Sequence, residues 1–237
     1  MSDATAGGRN RTTKAAEARA RAAAKRRAER RRLKKLLVIE EAYWEQGLQY
    51  IAGVDEAGRG PLAGPVVAAA VILPRGLAIS GVDDCKKLTA ETRERLAVEI
   101  RRHAIALAVA AASRAEVDRL NILRATHLAM RRAVSRLAVA PEHILVDGRP
   151  VPELGETHTA IVKGDELVHG IACASILAKV VRDRLMHRLS PRYPGYGWEH
   201  NVGYATREHR EAVERLGLTP HHRRSFVAEQ LTFELGG

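Results

Sequence analysis

Acidic side chains follow three apolar segments of the sequence, at the points where predicted strands end. Asp55 and Glu56 come after the first of these segments, Asp147 after the second and Asp165 after the third. Ligand sites in α/β sheets gather where strands end and loops begin, so we expect the four carboxylates to meet. Ionised together, they would repel one another, and a divalent cation would remove that cost. Oxygen ligands without a cysteine or histidine cluster favour Mg²⁺ or Mn²⁺ over zinc.

A turn rich in glycine and proline follows the first acidic pair. It contains Gly58, Arg59, Gly60 and Gly64, and it leads through Pro65 into a second apolar segment. Glycine lets the backbone approach a ligand closely. The spacing does not match a dinucleotide or phosphate loop, and a strand follows where those loops require a helix. An ordinary polar hairpin is the simpler alternative, but acids beside such a turn favour a site for a divalent cation and a phosphodiester.

Apolar strands and helical segments that would position these groups follow one another along the chain. Predicted strands cover residues 51–54, 66–73, 104–112, 144–146 and 158–162. Predicted helices cover residues 89–103, 115–137 (one helix or two), 168–189 and 206–216, with a candidate last helix over 225–235. Adjacent strands combined with such helices predict an α/β layer fold.

Residues 55–66, with the sequence DEAGRGPLAGPV, resemble the signature of ribonuclease HII, the type 2 ribonuclease H. Further motifs follow in the order of that family: DCKKLT at 84–89, ILVDG at 144–148, KGD at 163–165, ACASILAKV at 172–180, RD at 182–183, GYAT at 203–206 and HHRRSF at 221–226. The resemblance covers about residues 48 to 226. Several motifs in one order are far more specific than any single motif.

The resemblance implies a ribonuclease H-like mixed β-sheet flanked by helices, with a helical C-terminal region. It places the catalytic acids, which are also the metal ligands, on Asp55, Glu56, Asp147 and Asp165, the residues that the strand-end argument also selects. It implies an endonuclease that hydrolyses the RNA strand of RNA/DNA hybrids and nicks duplex DNA 5′ of an embedded ribonucleotide, as in DNA repair and primer removal. Two divalent cations, Mn²⁺ or Mg²⁺, would clamp the scissile phosphate and activate a water.

Recognition of RNA requires groups held at the 2′-OH, which alone distinguishes RNA from DNA at a nucleotide. The resemblance places this role on Gly58, Arg59, Gly60 and Tyr204; for Tyr204 a half-buried core tyrosine is the alternative. Seven basic residues in the motifs are candidate phosphate contacts, although each alone could be an ordinary surface charge. They are Lys86, Lys87, Lys163, Lys179, Arg182, Arg223 and Arg224.

Two sites depart from the family pattern. Cys85 stands where the family usually has serine, which leaves a weaker hydrogen-bonding group. Asn201 and Val202 stand where histidine and lysine are usual, which could remove a phosphate contact. Neither departure touches the four acids. A further acid, Asp183, is expected to pair within its own helix instead of binding metal.

Basic charge is concentrated at the N-terminus. The 237 residues carry a net charge of +11, and residues 1–35 contain thirteen basic and three acidic side chains. We predict a flexible or conditionally helical basic extension over residues 1–33 and a catalytic domain over 34–237, in which 206–237 form a helical substrate-binding region. Such an extension favours polyanions, most simply nucleic acid. An anionic membrane, or a solvated tail without a specific role, fits the charge equally well.

The remaining composition predicts a cytoplasmic protein. A hydrophobic content of 46% is enough for a sizeable core. Cys85 and Cys173 lie far apart and match no metal spacing, which favours a reducing compartment. No signal core is visible, and the apolar runs fall short of the roughly 20 residues that a spanning helix needs. We expect a monomer that binds nucleic acid and no membrane, and the sequence identifies no protein partner.

Two other functions fit part of the sequence. Ribonuclease HIII resembles this chain in its acids, but Arg59 and the short, unpatterned N-terminal segment favour ribonuclease HII. A non-catalytic nucleic-acid-binding protein that relies on its basic tail would leave the four acids unexplained, because they would repel phosphate in the absence of metal.

Overall fold

One five-stranded sheet forms the centre of the computed structural model, which describes residues 6–155 and 157–228. The strands are β1 (Ile51–Ala57), β2 (Val66–Ile72), β3 (Ala106–Ala112), β4 (His143–Asp147) and β5 (His158–Ile161). Their order across the sheet is β3-β2-β1-β4-β5. β2 is antiparallel to both β1 and β3, whereas β1, β4 and β5 run parallel. The carboxyl ends of β1, β4 and β5 therefore lie at one edge of a mixed sheet.

Helices connect and cover the strands. They are α1 (Ala6–Leu36), α2 (Val38–Glu45), α3 (Ala90–His103), α4 (Arg114–Leu120), α5 (Ile122–Val134), α6 (Gly164–Leu167), α7 (His169–Leu189), α8 (Trp198–Asn201) and α9 (Arg207–Leu216). Residues 224–228 are also helical. Thr89 and Thr206 cap α3 and α9 by accepting a hydrogen bond from the backbone amide three residues later.

The helices form one layer on each face of the sheet. On one face, Leu96 of α3 and Ile176 of α7 pack against Val71. On the other face, Met130 of α5 packs in a cluster that includes Val54. This sandwich of a mixed sheet between helices confirms the predicted fold class.

α7 crosses β1 at close range because two glycines face each other. A Cβ atom on Gly53 would lie 2.1 Å from the carbonyl carbon of Gly170, far inside contact distance. The axis of α7 therefore lies near the sheet, and the later residues Ser175 and Lys179 reach the cavity at the carboxyl end of β1.

Two local predictions need correction. β1 was expected to end at Val54, but its pairing with β2 continues to Ala57, so that Asp55 and Glu56 lie within the strand. Asp165 does not end β5, because the chain turns after that strand and Asp165 lies in the first turn of α6. Both differences arise from pairing and turning that the apolar pattern does not show. The acids remain at the same edge of the sheet.

The basic N-terminal segment is one continuous helix where it is described. α1 crosses the predicted boundary at residue 33 without a break, and its Leu33 and Leu36 are buried. The division into an extension and a catalytic domain stays a prediction. The ends of the two predicted terminal regions, residues 1–5 and 229–237, lie outside the described residues. Within the described ranges, no helix combines the length and apolar character needed to cross a membrane.

Glu40 is a buried acid that connects α2 to α7. Only 5% of its surface is exposed. Its Oε1 atom accepts a hydrogen bond of 3.0 Å from the backbone amide of Gly170. Burial raises the pKa of Glu40 from 4.5 to about 8, against the opposing effect of the backbone amides of Gly170 and His169. The folded protein therefore holds a proton on Glu40 at pH values where the unfolded chain has lost it.

This difference predicts a pH-dependent stability. The contribution of Glu40 to the free energy of unfolding should decrease as pH rises from 4.5 to about 8, because the stabilisation by protonated Glu40 is lost through that window. In Glu40→Gln, which keeps an acceptor for Gly170, this loss should be absent, a difference from wild type of up to about 5 kcal/mol across the window. Urea unfolding across the window measures this, with Glu41→Gln on the exposed side of α2 as the control. Equal pH slopes in wild type and Glu40→Gln would contradict the prediction.

Candidate active site

A cavity of about 290 Å³ opens at the carboxyl ends of β1 and β4. Cys85, Ser175 and Lys179 form part of its wall. All nine residues that the sequence selects also line it: Asp55, Glu56, Gly58, Arg59, Gly60, Lys86, Asp147, Asp165 and Tyr204. The fold thus collects acids, bases and a glycine turn that lie far apart along the chain.

Asp55 is the most buried of the four acids, with 4% of its surface exposed. It lies one position beyond the paired residues Val54 and Val146, which places it level with Asp147 on the neighbouring strand. The backbone amide of Glu56 donates a hydrogen bond of 2.6 Å to its Oδ1 atom. Burial, followed by repulsion from Glu56 and Asp147, raises the pKa of Asp55 well above its usual range. Within residues 6–155 and 157–228, no ion pair joins this carboxylate to a cation, in contrast to Glu56 and Asp165.

Glu56 lies at the next position of β1, and its partner is the exposed side chain of Arg59. Its Oε1 atom is 3.4 Å from a guanidinium nitrogen of Arg59. Burial raises the pKa of Glu56, an effect that Arg59 opposes and Asp147 increases. The Arg59 side chain is 51% exposed, so it is free to turn toward a ligand without disturbing the core.

Asp147 and Asp165 are linked through the backbone of the turn that precedes α6. Asp147 Oδ1 accepts a hydrogen bond of 2.6 Å from the amide of Gly164, which brings Asp165 to the cavity. Lys86 Nζ lies 3.8 Å from Asp165 Oδ2. Burial and the neighbouring Asp147 raise the pKa of Asp165, and Lys86 opposes this change.

The donor set of the cavity fits a divalent cation of the Mg²⁺ or Mn²⁺ type, because its ionisable ligands are mainly carboxylates. Among the described residues, no three carboxylate, imidazole or thiol groups already stand in metal-binding geometry. Each acid has a protein partner instead: a backbone amide for Asp55 and Asp147, Arg59 for Glu56 and Lys86 for Asp165. Burial first, and then the neighbouring acids, raise the pKa values of Asp55, Glu56 and Asp165, and a bound cation would favour their ionised forms once the side chains turn.

A buried arginine holds the glycine turn from beneath. Arg223 donates hydrogen bonds of 2.6, 2.8 and 2.9 Å to the carbonyl oxygens of Gly58, Arg59 and Gly64, respectively. Its exposed fraction is 0%. The prediction that Arg223 contacts phosphate is therefore wrong, because its guanidinium is used inside the protein. What it provides is a fixed shape for the turn.

Arg182 of α7 supports the same turn from the other side. It donates hydrogen bonds of 3.1 and 3.2 Å to the carbonyl oxygens of Ala63 and Pro65. It also has no exposed surface, so its predicted phosphate contact is wrong as well. The sequence could not separate these two arginines from surface charges, since burial depends on contacts with a segment more than a hundred residues away.

The structure constrains Gly58 and Gly60 of the turn in different ways. Gly58 has a φ of 92°, and a Cβ atom there would lie 2.0 Å from Nε of Arg182. Gly60 has no left-handed backbone, and a Cβ atom there would meet nothing within 4 Å. The fold therefore requires Gly58, whereas at Gly60 it leaves open space into which a ligand can come close to the backbone.

Tyr204 is exposed at the cavity. Its exposed fraction is 40%, which does not fit the alternative of a core tyrosine. The cationic groups of Lys179 and Arg182 each lie 5.5 Å from the centre of its ring. The ring thus stands at the cavity wall, partly exposed.

A buried histidine pair fixes the backbone of Tyr204. His209 Nδ1 lies 2.8 Å from the carbonyl oxygen of Tyr204, and His209 Nε2 lies 3.0 Å from His222 Nε2. The amide of Thr219 donates to His222 Nδ1, so His222 carries its proton on Nε2 and donates it to His209. Burial lowers the pKa of His209, and it lowers that of His222 to about 4, so both rings are neutral near pH 7. The motif HHRRSF contains His222, but the residue types of the motif did not reveal that this histidine is buried.

Hydrogen bonds account for Asn201 and Cys85, whereas nothing in the structure explains valine at position 202. Asn201 accepts a hydrogen bond from the amide of Gly203 at 2.8 Å and thereby shapes the turn before Tyr204. Val202 has a φ of 42°, which β-branched residues rarely adopt. Cys85 is buried and accepts a hydrogen bond of 3.2 Å from Ser175, a cavity residue that was not among the candidate site residues.

The remaining charged candidates behave as ordinary side chains. Lys179 Nζ pairs with Asp183 Oδ1 at 2.8 Å, which confirms the pairing expected for Asp183 within its helix. Lys87 lies 3.2 Å from Glu166. Lys86, Lys163 and Arg224 are exposed, and of these three Lys86 lines the cavity.

A mixed sheet with carboxylates gathered at the carboxyl ends of its central strands, beside a glycine turn, defines the class of ribonuclease H-like nucleases. The family model of ribonuclease HII matches residues 52–229. The chain belongs to the ribonuclease HII family. It is therefore a ribonuclease H, a hydrolase that cuts RNA in RNA/DNA hybrids.

Known proteins similar to this chain agree with that membership. Ribonuclease HII of Synechococcus sp. (strain JA-3-3Ab) is 54% identical over 203 residues, which cover 84% of this chain and 91% of that protein. The structure of ribonuclease HII in complex with PCNA from Archaeoglobus fulgidus matches with a TM-score of 0.63 and 30% identity, covering 74% of this chain and 94% of that one. Ribonuclease H2 of Pyrococcus horikoshii OT3 matches with a TM-score of 0.62 and 28% identity, over 74% and 93% of the two chains.

Replacement of Arg223 tests its hold on the turn. Arg223→Lys keeps the charge but cannot make three bonds in these directions, so buried carbonyl oxygens lose their donors. We expect the free energy of unfolding to fall by about 2 to 4 kcal/mol. Urea unfolding measures this, with Arg224→Lys at the exposed neighbouring position as the control. Two variants of equal stability would show that the hydrogen bonds do not hold the turn.

Proposed function

We propose that this chain is a divalent-metal-dependent endonuclease that cuts the RNA strand of RNA/DNA hybrids and nicks duplex DNA on the 5′ side of an embedded ribonucleotide. The observation that carries the proposal is the common cavity, in which four carboxylates stand beside the Gly58–Gly60 turn and Tyr204. Removal of ribonucleotides and RNA primers from DNA is the corresponding cellular role. A cytoplasmic location and a monomeric state stay predictions.

The four acids are the proposed metal ligands and catalytic residues: Asp55, Glu56, Asp147 and Asp165. Two bound Mg²⁺ or Mn²⁺ ions would supply a water activated for attack and a counter-charge for the leaving 3′ oxygen. The acids orient this centre, and their excess negative charge gives it affinity. Lys86 is released from Asp165 when the acids turn, and its ammonium is then available to a substrate phosphate.

The turn and Tyr204 are the proposed readers of ribose. Arg223 and Arg182 donate hydrogen bonds to carbonyl oxygens on the side of the turn that faces the protein interior. These bonds keep the backbone of Gly58, Arg59 and Gly60 fixed beside the cavity. A rigid turn can hold polar groups at the 2′-OH at little entropic cost. The exposed ring of Tyr204 would then lie against the sugar, since its backbone is held by His209.

Neutralising one acid separates catalysis from folding. Asp147→Asn keeps an acceptor for the amide of Gly164 but removes one negative charge from the proposed metal site. We expect turnover to fall by at least about a hundredfold, while affinity for the duplex in the presence of chelator stays unchanged. Asp183→Asn, an acid paired with Lys179 outside the cavity, is the control and should retain most activity. Full activity of Asp147→Asn would remove that residue from the proposed site.

Cleavage of a labelled DNA duplex with one ribonucleotide, beside an all-DNA duplex, tests the reading of ribose. We expect a nick 5′ of the ribonucleotide with Mg²⁺ or Mn²⁺ and none with chelator. Gly60→Ala should preserve stability, since its Cβ atom meets open space, but should reduce the nicking rate by at least about tenfold if the ribose approaches there. An unchanged rate in this variant, or cleavage of the all-DNA duplex, would refute the role of the turn.

A further inference from the structure

The C-terminal half of α1 carries many positively charged side chains. We define the cationic arm as residues 19–35 of α1. Its basic side chains are Arg19, Arg21, Lys25, Arg26, Arg27, Arg30, Arg31, Arg32, Lys34 and Lys35, and its single acid is Glu29. All of these basic side chains except Arg32 are exposed. The arm therefore has far more positive charge than its own helix can neutralise.

The acid and one of the bases are used to dock the arm. Glu29 Oε1 accepts a hydrogen bond of 2.9 Å from the amide of Gly81, and Arg32 donates one of 2.7 Å to the carbonyl oxygen of Val82. Arg32 also lies 2.9 Å from Glu29 and 3.5 Å from Asp83. The hydrogen bond from Arg32 lowers the pKa of Glu29 to about 2, so the contact persists at any ordinary pH. These bonds fix the arm to the loop at residues 81–83.

The docked face determines which charges point outward. Glu29, Arg32 and the buried Leu33 and Leu36 lie on one side of the helix, at the spacing of successive turns. At about 100° per residue, the opposite side presents five exposed cations and no acid. They are Arg27, Arg30, Arg31, Lys34 and Lys35.

The docking site lies at the rim of the candidate active site. The loop that holds the arm continues directly into Cys85 and Lys86, which line the cavity. α1 also contacts α6, the short helix that carries Asp165. At a rise of 1.5 Å per residue the arm is about 25 Å long, the length of roughly seven base pairs.

We infer that the cationic arm binds the phosphate backbone of the duplex beyond the cavity, as a docked element with a fixed position and not as a loose tail. This inference rests on the proposed function, which brings a nucleic-acid duplex to the cavity and makes Lys86 available to a substrate phosphate. Charge complementarity selects the partner, since a phosphate backbone matches five cations in two helical turns. A membrane-bound helix would need an apolar face opposite its charges, and the arm uses its leucines for docking.

Two variants with several substitutions each distinguish the effect of the arm's charge from the effect of its docked position. The first replaces four outward cations with glutamine: Arg27, Arg30, Arg31 and Lys34. The second is the double variant Glu29→Ala/Arg32→Ala, which leaves the net charge unchanged but removes the docking bonds. Glu17→Ala/Arg19→Ala, exposed and equally charge-neutral on the same helix, is its matched control. Circular dichroism and unfolding of each full-length variant verify the fold.

Dissociation constants are measured over a range of salt concentrations, in chelator, with a ribonucleotide-containing duplex long enough to extend past the cavity and with a short duplex. The four-cation variant should bind the long duplex at least about tenfold more weakly and show a salt slope smaller by about 3 to 4, with little change for the short duplex. The docking variant should lose several-fold affinity for the long duplex, and its control should not. Nicking at saturating enzyme should keep its position and rate in all variants.

Several results would overturn the inference. An unchanged salt slope in the four-cation variant would reject phosphate contacts by the arm. Equal affinities of the docking variant and its control would reject a fixed position. Loss of binding to anionic lipid vesicles, with duplex binding intact, would assign the arm to a membrane instead. Failure of the wild-type protein to nick would refute the proposed function, whereas the salt slopes would still report on the arm.

Discussion

Repulsion among four carboxylates is the constraint on which the site depends. Asp55 is buried in the central strand, level with Asp147, and no nearby cation belongs to it alone. Backbone amides, Arg59 and Lys86 each relieve part of this repulsion, while burial first and the neighbouring acids second raise the pKa values of Asp55, Glu56 and Asp165. A rigid sheet is needed to hold these four carboxylates together. The bound cations that we propose would be attracted by the carboxylates and would cancel their mutual repulsion.

Positive charge beneath the glycine turn complements this arrangement. Arg182 and Arg223 have no exposed surface, yet five carbonyl oxygens of the turn accept hydrogen bonds from them. Burying two cations is costly, and these hydrogen bonds offset part of that cost, although Nη1 of Arg182 is buried without a hydrogen-bond partner. The result is a rigid loop next to the acids, with its open position at Gly60.

Electrostatics also organises the molecule at longer range. The body beyond residue 35 is nearly neutral, while the cationic arm is docked at the rim of the cavity through Glu29 and Arg32. The acids that we propose as metal ligands, the buried arginines that shape the turn and the exposed cations that we propose as phosphate contacts thus occupy separate places. On these proposals, one α/β domain would combine a cavity of clustered carboxylates with attraction for a polyanion.

The sequence by itself determined the fold class, the bounds of most elements and, with the family resemblance, nine of the residues that line the cavity, because apolar segments, helix caps and ordered motifs are local patterns. It could not tell Arg223 from Arg224, or Gly58 from Gly60, since neighbouring residues of one type have the same local signal. Only the tertiary structure decided which arginine is buried beneath the turn, which glycine is needed for packing, and that His209 holds Tyr204. The physical reason is that burial and hydrogen bonding depend on segments far apart in the chain, which meet only when the sheet and α7 have formed.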